Sequence, residues 1–114
     1  MARLNYVELT VADVGRAKGF YEQAFGLPLT GYGPEYAGGD AGASELGLRA
    51  DASTKPPLPG VAVDDLEAAL TMVERLGGEV VVPIFSFPGG RRFHFRDPDG
   101  NHLACFKYDE ADQD

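Results

Sequence analysis

The fold of this chain follows from two short stretches of sequence, Tyr6-Val7-Glu8-Leu9-Thr10-Val11-Ala12-Asp13 and Gly60-Val61-Ala62-Val63-Asp64-Asp65. In each stretch apolar residues alternate with polar or small ones, which is the period-2 pattern of a half-buried strand. Each stretch ends at aspartate, Asp13 in the first and Asp64 or Asp65 in the second, whose short carboxylate can accept a hydrogen bond from the first turn of a following helix. When the two stretches are aligned, Asp13 falls on Asp65. The chain is therefore predicted to contain two similar modules.

Residues with helical spacing follow each aspartate. The first helix is predicted from Val14 to Phe25 and the second from Leu66 to Leu76, because both segments carry an apolar stripe. Gly26 and the pair Gly77-Gly78 come next, and glycine is the residue that most often ends a helix. Strand-like segments come after each helix. The pattern is therefore βαβββ twice, and the predicted fold class is α+β.

The strand pattern is weak from Leu29 to Leu48, because glycines interrupt it. Short strands are predicted at Leu29–Tyr32 and Glu35–Tyr36, and a clear strand at Ala43–Arg49. The glycines between them predict tight hairpins. A phosphate-binding loop is disfavoured, because no Lys-Ser/Thr pair and no helix follow the glycines directly.

One domain is predicted over residues 1–114, since a chain of this length can bury a single core. It is built of modules 1–50 and 60–108. The prolines of residues 51–59 predict an extended linker between the modules. The acidic residues 109–114 predict a solvated tail to which no function is assigned.

The composition excludes several classes of function. The net charge of −8 argues against nucleic acid and anionic membrane as partners, because both require a basic surface. Cys105 is the only cysteine, which excludes an internal disulfide and a cysteine-based metal cluster, and it is expected to be a core residue. The sequence has no long apolar run and no signal-peptide pattern, so a cytoplasmic location is expected.

Strand alternation places a set of polar side chains on the sheet face that does not pack against the helices. The set comprises Tyr6, Glu8, Glu45, Arg49, Arg92, His94, Arg96 and His102. Such a face can bind a ligand, with Tyr32, Tyr36 and Phe106 as further aromatic candidates, or it can be solvated or covered by a second copy. Ion pairs across neighbouring strands are the structural alternative for its charged members.

The same residues resemble a known family. Tyr6 to Asp13, followed by Phe20-Tyr21 and by Phe25-Gly26-Leu27, is similar to the opening of the glyoxalase/bleomycin-resistance/extradiol dioxygenase group, the vicinal oxygen chelate superfamily. Phe95-Arg96-Asp97-Pro98-Asp99-Gly100-Asn101 agrees in the second half. The resemblance implies a curved mixed sheet, a cup of eight strands made of two βαβββ units with helices on its outer face. It also implies a homodimer.

Metal enzymes of this family place ligands at four strand positions, which correspond to Tyr6, Glu45, Leu58 and Ala104 in this sequence. Only Glu45 is a ligand of the usual kind, so no metal cofactor is expected. A divalent metal bound by a different set of residues stays an alternative. Glu8, Glu45 and His102 share the inward face, and His94 could add a fourth donor.

The resemblance implies a protein that binds a small organic molecule in the cup without the family metal. The alternative is an enzyme of the same superfamily, either a lyase or isomerase related to lactoylglutathione lyase, with or without a metal, or a metal-dependent dioxygenase. In such an enzyme Glu45 or Glu8 would act as general base and His102 or His94 as acid. Arg49, Arg92 or Arg96 would supply positive charge. An interaction domain without a ligand is the third possibility.

Overall fold

The computed structural model describes residues 2–53 and 55–110, which form two βαβββ series. The elements are β1 (Arg3–Val11), α1 (Val14–Phe25), β2 (Leu29–Gly31), β3 (Tyr36–Asp40), β4 (Glu45–Ala50), β5 (Leu58–Ala62), α2 (Leu66–Arg75), β6 (Glu79–Phe87), β7 (Gly90–Arg96) and β8 (His102–Tyr108). This order confirms the predicted α+β class with two βαβββ modules. The chain divides into two compact units. The first unit is Asn5–Pro59, and the second comprises the described residues from Gly60 onward with the start of β1 up to Leu4.

Both helices begin at the predicted aspartates. The Oδ1 atom of Asp13 accepts a hydrogen bond of 3.0 Å from the backbone N–H of Arg16, and Asp65 caps α2 in the same way. Helix α1 ends at Gly26, whose φ of 69° lies in the left-handed region that glycine adopts without steric cost. Helix α2 ends one residue earlier than predicted, because Leu76 is its C-cap.

The sheet of the first unit has the strand order β2-β3-β4-β1. Strands β2 and β3 are antiparallel, as are β3 and β4, whereas β4 and β1 are parallel. Helix α1 packs against β2, β3 and β4. The fully or nearly buried apolar side chains of this unit are Val14, Leu29, Ala37 and Leu48. Burial of these side chains is the main source of stability for the unit.

The prediction of tight hairpins at the glycines of the first module is wrong for Gly38 and Gly39, which lie inside β3. Gly39 is needed there because the neighbouring backbone leaves no room for a side chain, and a side chain on Gly38 would displace that of Tyr36. A Cβ atom on Gly39 would lie 2.6 Å from the carbonyl oxygen of Pro28, and one on Gly38 would lie 2.9 Å from the hydroxyl of Tyr36. Glycine in a strand commonly marks such a close approach.

The sheet of the second unit has the order β5-β8-β7-β6, and α2 packs against β6, β7 and β8. Its core is centred on Leu66, Phe93 and Cys105. The expected core position of Cys105 is thereby confirmed, and burial raises the pKa of its thiol to about 11. Strand β6 continues to Phe87 through two register shifts of the kind that accommodate proline in a sheet.

Strand β5 begins at Leu58, inside the segment predicted to be a linker. Neither helix in the described part of the chain is long and apolar enough to span a membrane. The cytoplasmic location expected from the sequence stays a prediction.

Candidate functional site

Four polar side chains of the first unit come together on the sheet face opposite to the one that carries Ala37 and Leu48. This tyrosine–glutamate cluster consists of Tyr6 and Glu8 of β1, Tyr36 of β3 and Arg49 of β4. Strand register brings them together, because Glu8 is level with Gly47 in β4, which in turn is level with Gly38 in β3. The cluster therefore spans three neighbouring strands around a pair of glycines.

The carboxylate of Glu8 lies at the centre of the cluster and is 6% exposed. Its Oε1 atom accepts a hydrogen bond of 3.0 Å from the hydroxyl of Tyr6. Its Oε2 atom accepts one of 3.2 Å from Nε of Arg49. A buried carboxylate is tolerated only when its charge is compensated and its lone pairs are used, and this pair of donors meets both requirements. The predicted alternative of an ion pair across neighbouring strands is therefore confirmed for Glu8 and Arg49.

The two tyrosine hydroxyls meet above Gly47. The hydroxyl oxygens of Tyr6 and Tyr36 are 3.1 Å apart, at hydrogen-bonding distance. A Cβ atom on Gly47 would collide with the hydroxyl of Tyr6 and would lie 2.6 Å from that of Tyr36. The two hydroxyls can therefore come within hydrogen-bonding distance because residue 47 has no side chain.

Tyr6 is held as a neutral phenol. Burial raises its pKa well above the ordinary value, and the hydrogen bond with Tyr36 and the negative charge of Glu8 raise the pKa further. Because the phenol stays protonated at neutral pH, Tyr6 acts as a hydrogen-bond donor in this cluster.

Arg49 connects the cluster to the solvent-facing edge of the unit. Its side chain is 42% exposed, and its Nη2 atom lies 3.7 Å from Oδ2 of Asp51, which also pairs with Lys55 at 3.5 Å. A guanidinium has five N–H donors in a fixed planar fork. Arg49 can therefore hold Glu8 and still present donors towards a bound molecule.

The positions at which the resemblance places metal ligands do not fit a divalent ion. Tyr6 and Glu45 are level on the parallel strands β1 and β4, but the phenol of Tyr6 is protonated and donates to Glu8. A metal ligand must be deprotonated or must offer a lone pair. Leu58 and Ala104 have no donor atom, and Glu45 is exposed. One carboxylate does not make a site for Zn²⁺, Mn²⁺ or Fe²⁺.

A displaced metal site finds no support in the described residues either. Residues 2–53 and 55–110 contain no group of three or more His, Cys, Asp or Glu side chains placed to hold one ion. Both carboxylate oxygens of Glu8 already accept hydrogen bonds. The expectation that no metal cofactor is bound stays a prediction.

The second unit carries a different group of candidate residues. Arg92 and His94 of β7 alternate with the core residue Phe93, so they lie on the face opposite to α2. The guanidinium carbon of Arg92 lies 5.2 Å and 5.5 Å from the ring centroids of two phenylalanines of β6. The imidazole of His94 lies 5.4 Å from that of His102. The name Arg92 cluster is used below for Phe85, Phe87, Arg92, His94 and His102.

Within each unit the structure brings some of the predicted site residues together. Tyr6, Glu8 and Arg49 contact one another in the first unit, and Arg92, His94 and His102 lie on one face of the second. Arg96, by contrast, pairs with Glu79 at 3.4 Å on the exposed surface.

The sequence missed the part that Gly47 plays in the site, as well as Phe85 and Phe87. Strand parity could have identified Gly47, because it lies on the same strand face as Glu45 and Arg49. The two phenylalanines could not be assigned to a face, because register shifts in β6 break the alternation.

Comparison with known proteins agrees with the fold. The model of the Glyoxalase/Bleomycin resistance protein/Dioxygenase superfamily matches residues 3–104. The putative glyoxylase CFP32 of Mycobacterium bovis and that of Mycobacterium tuberculosis are each 31% identical to this chain over 116 residues. Each match covers 90% of this chain and 44% of the relative, so the chain spans less than half the length of these relatives.

Solved structures with the same fold include a hypothetical protein from Bacillus halodurans, with a TM-score of 0.80, 16% identity and coverage of 99% of both chains. The methylmalonyl-CoA epimerase from Mycobacterium tuberculosis has a TM-score of 0.74 and 18% identity, with coverage of 94% of this chain and 88% of the epimerase. The Mn(II)-bound glyoxalase from Novosphingobium aromaticivorans has a TM-score of 0.71 and 23% identity, with coverage of 99% of this chain and 44% of that chain. At these identities the likeness shows the fold alone. Because the family model matches nearly the whole chain, this protein belongs to the Glyoxalase/Bleomycin resistance protein/Dioxygenase superfamily.

Proposed function

We propose that this chain binds a small organic molecule through the tyrosine–glutamate cluster and does so without a metal ion. The observation that carries the proposal is the protonated phenol of Tyr6. At a position where metal enzymes of the family place a ligand, this chain has a hydrogen-bond donor that is committed to Glu8. A phenol whose only proton is donated to Glu8 does not suit a metal ion, whereas the neighbouring guanidinium of Arg49 has donors left for a polar group on a ligand.

The cluster favours a ligand with hydrogen-bond acceptors beside a flat apolar part. Arg49 supplies donors, and the rings of Tyr36 and Tyr32, whose centroids are 6.0 Å apart, supply aromatic surface. A few fixed polar groups next to aromatic surface are typical of small-molecule sites.

The enzyme alternatives of the sequence analysis stay predictions. A lyase, isomerase or dioxygenase of the metal-dependent kind needs a metal to stabilise the charge that develops in its reaction. No observation in the first unit favours that chemistry over binding. The expected homodimer also stays a prediction, which analytical ultracentrifugation tests directly.

A ligand screen on chelator-treated protein tests the proposed function. Small aromatic acids, amides and antibiotics are screened by ligand-observed NMR in EDTA, and the dissociation constant of each hit is measured by titration calorimetry. Arg49→Gln removes donors of the cluster, and Arg16→Gln on the exposed side of α1 is the control with the same change in charge.

We expect hits to bind in EDTA and Arg49→Gln to weaken binding about tenfold, which is the value of one charge-assisted hydrogen bond. Arg16→Gln should leave the dissociation constant unchanged. Binding that requires added Mn²⁺ or Zn²⁺, or that both variants weaken equally, would contradict the proposal.

A further inference from the structure

The second unit contains a cavity that includes no residue of the two clusters described above. Its volume is about 350 Å³, within the range of about 300–1,000 Å³ that is typical of small-molecule sites. It is lined by Ala62 and Val63, where β5 ends, and by Lys107 and Tyr108, where the parallel strand β8 ends. In open sheets the carboxyl ends of parallel strands are a common place for ligands.

Charges of both signs line this cavity. The cations are Arg3, which belongs to the same unit, and Lys107. The carboxylates are Asp64 and Glu110. Within the described residues, Arg3, Lys107 and Glu110 form no ion pair. Solvent therefore compensates their charges, and a ligand with complementary charges can replace that solvent.

The cavity also has an apolar part, which consists of Ala62, Val63 and the ring of Tyr108. The ring of Tyr108 is held by edge contact with that of Phe106, at a centroid distance of 4.8 Å and an interplanar angle of 71°. It nevertheless stays partly open to solvent. An aromatic ring that is already fixed by packing presents apolar surface to a ligand at little further cost in entropy.

The balance of two cations and two carboxylates disfavours a ligand that carries a single charge. An anion would be attracted by Arg3 and Lys107 but repelled by the carboxylates, and a cation would meet the reverse. A zwitterion avoids both repulsions. Its carboxylate can accept hydrogen bonds from the two cations, and its ammonium group can donate one to Glu110.

We infer that this cavity binds a small zwitterion, an α-amino acid with an apolar side chain. Such a molecule carries its two charges on neighbouring atoms and its apolar group beside them. Arg3 and Lys107 hold the carboxylate, Glu110 holds the ammonium group, and Val63 and Tyr108 contact the side chain. This inference concerns the second unit alone and does not depend on the tyrosine–glutamate cluster binding a ligand.

Titrations of the full chain with simple probes test the inference. L-phenylalanine, L-leucine and L-valine are titrated into ¹⁵N-labelled protein, and the shifts of the backbone N–H signals of Val63 and Tyr108 give the dissociation constants. Two further probes each lack one charge of L-phenylalanine. They are 3-phenylpropanoate, which has no ammonium group, and 2-phenylethylamine, which has no carboxylate.

Three variants each remove one charge from the cavity: Arg3→Gln, Lys107→Gln and Glu110→Gln. Arg75→Gln is the control, because it makes the same charge change as Arg3→Gln in the same unit, in the last turn of α2 and outside the cavity. Arg3 and Glu110 are exposed, so their variants keep the test valid if Lys107→Gln, which changes a half-buried side chain, does not fold.

We expect at least one of the three amino acids to bind saturably and L-phenylalanine to bind more tightly than either singly charged probe. Lys107→Gln should weaken amino-acid binding about tenfold, as the loss of a charge-assisted hydrogen bond does. Arg3→Gln and Glu110→Gln should weaken it about threefold, because exposed charges interact less strongly. Glu110→Gln should not weaken binding of 3-phenylpropanoate, and Arg75→Gln should change nothing.

Three results would overturn the inference. The first is that none of the three amino acids gives a saturable shift. The second is that 3-phenylpropanoate or 2-phenylethylamine binds as tightly as L-phenylalanine. The third is that Arg75→Gln weakens binding as much as Arg3→Gln does.

Discussion

The hydroxyl of Tyr6 donates a hydrogen bond of 3.0 Å to the carboxylate of Glu8, two residues further along the same strand. Residues i and i+2 of a strand point to the same face, so a long side chain can reach its second neighbour without leaving the strand. The contact makes Tyr6 part of the compensation for a buried charge.

Replacing Tyr6 by phenylalanine should destabilise the protein. The change removes one of the donors to the buried carboxylate of Glu8, and a hydrogen bond to a charged group contributes about 1.5–3 kcal/mol. The free energy of unfolding in urea measures the loss. Tyr32→Phe removes the same atom from an exposed tyrosine of the same unit and should change stability by less than about 0.5 kcal/mol. Equal effects of the two variants would show that Glu8 does not need this donor.

Gly47→Ala should destabilise the protein by about 1–3 kcal/mol, because the added methyl group collides with the hydroxyl of Tyr6. The phenol must then move away from Glu8 as well as from Tyr36. Gly19→Ala in α1 is the matched control, since its Cβ meets nothing closer than 3.9 Å. Alanine is the better helix former, so this variant should be more stable by about 0.5–1 kcal/mol. A neutral Gly47→Ala would contradict the close approach of the two phenols.

The raised pKa of Tyr6 predicts a loss of stability at alkaline pH. Tyr6 has a pKa of about 10 in the unfolded chain and a higher pKa in the folded protein. The folded state therefore holds the proton more tightly, and stability present below pH 10 decreases as the pH rises beyond it. The decrease should be smaller in Tyr6→Phe, as measured by urea unfolding from pH 8 to pH 11.

Absorbance at 295 nm gives an independent check, because it reports tyrosinate directly. Tyr6→Phe should leave the native absorbance change near pH 10 unaltered, since Tyr6 does not ionise there. A smaller change in the variant would mean that Tyr6 titrates normally.

The raised pKa of Cys105 predicts a second loss of stability at alkaline pH, in this case from a residue of the second unit. Burial raises the pKa of its thiol to about 11, against about 8.5 in an unfolded chain. The stability contributed by the neutral thiol is complete below pH 8.5 and is lost as the pH rises through 11. Cys105→Ala should remove this decrease of stability with pH. Ellman's reagent should react slowly with the native thiol at pH 8 and rapidly in urea, and fast reaction of native protein would contradict the burial.

Local sequence signals predicted the strand pattern of β1 and the observed bounds of α1. Alternation, the Asp13 cap and the Gly26 stop are all properties of neighbouring residues, so no knowledge of the remaining chain was needed. Strand β3 was missed because the reason for a glycine inside it lies outside its own sequence neighbourhood. Gly39 is required by the backbone of Pro28, the residue that precedes β2, and β2 lies beside β3 only in the folded sheet.

Strand parity placed Tyr6, Glu8 and Arg49 on one face, but it could not say which of them touch. That depends on the register of β1 against β4, in which Glu8 is level with Gly47 and therefore has room to reach Arg49. Strand register also limited what the sequence could predict about the Arg92 cluster. The positions of Arg92 and His94 follow from alternation in β7, whereas Phe85 and Phe87 depend on the bulged pairing of β6 with β7.

Metal analysis of protein purified without chelator tests the central claim most directly. The claim is that Tyr6 donates to Glu8 and that ligands bind to this chain without a metal. The account predicts far less than one divalent ion per chain and no thermal stabilisation by added Zn²⁺, Ni²⁺, Mn²⁺ or Fe²⁺. One tightly bound ion per chain that is lost in Glu45→Ala or His102→Ala would contradict it and would favour a metal-dependent enzyme.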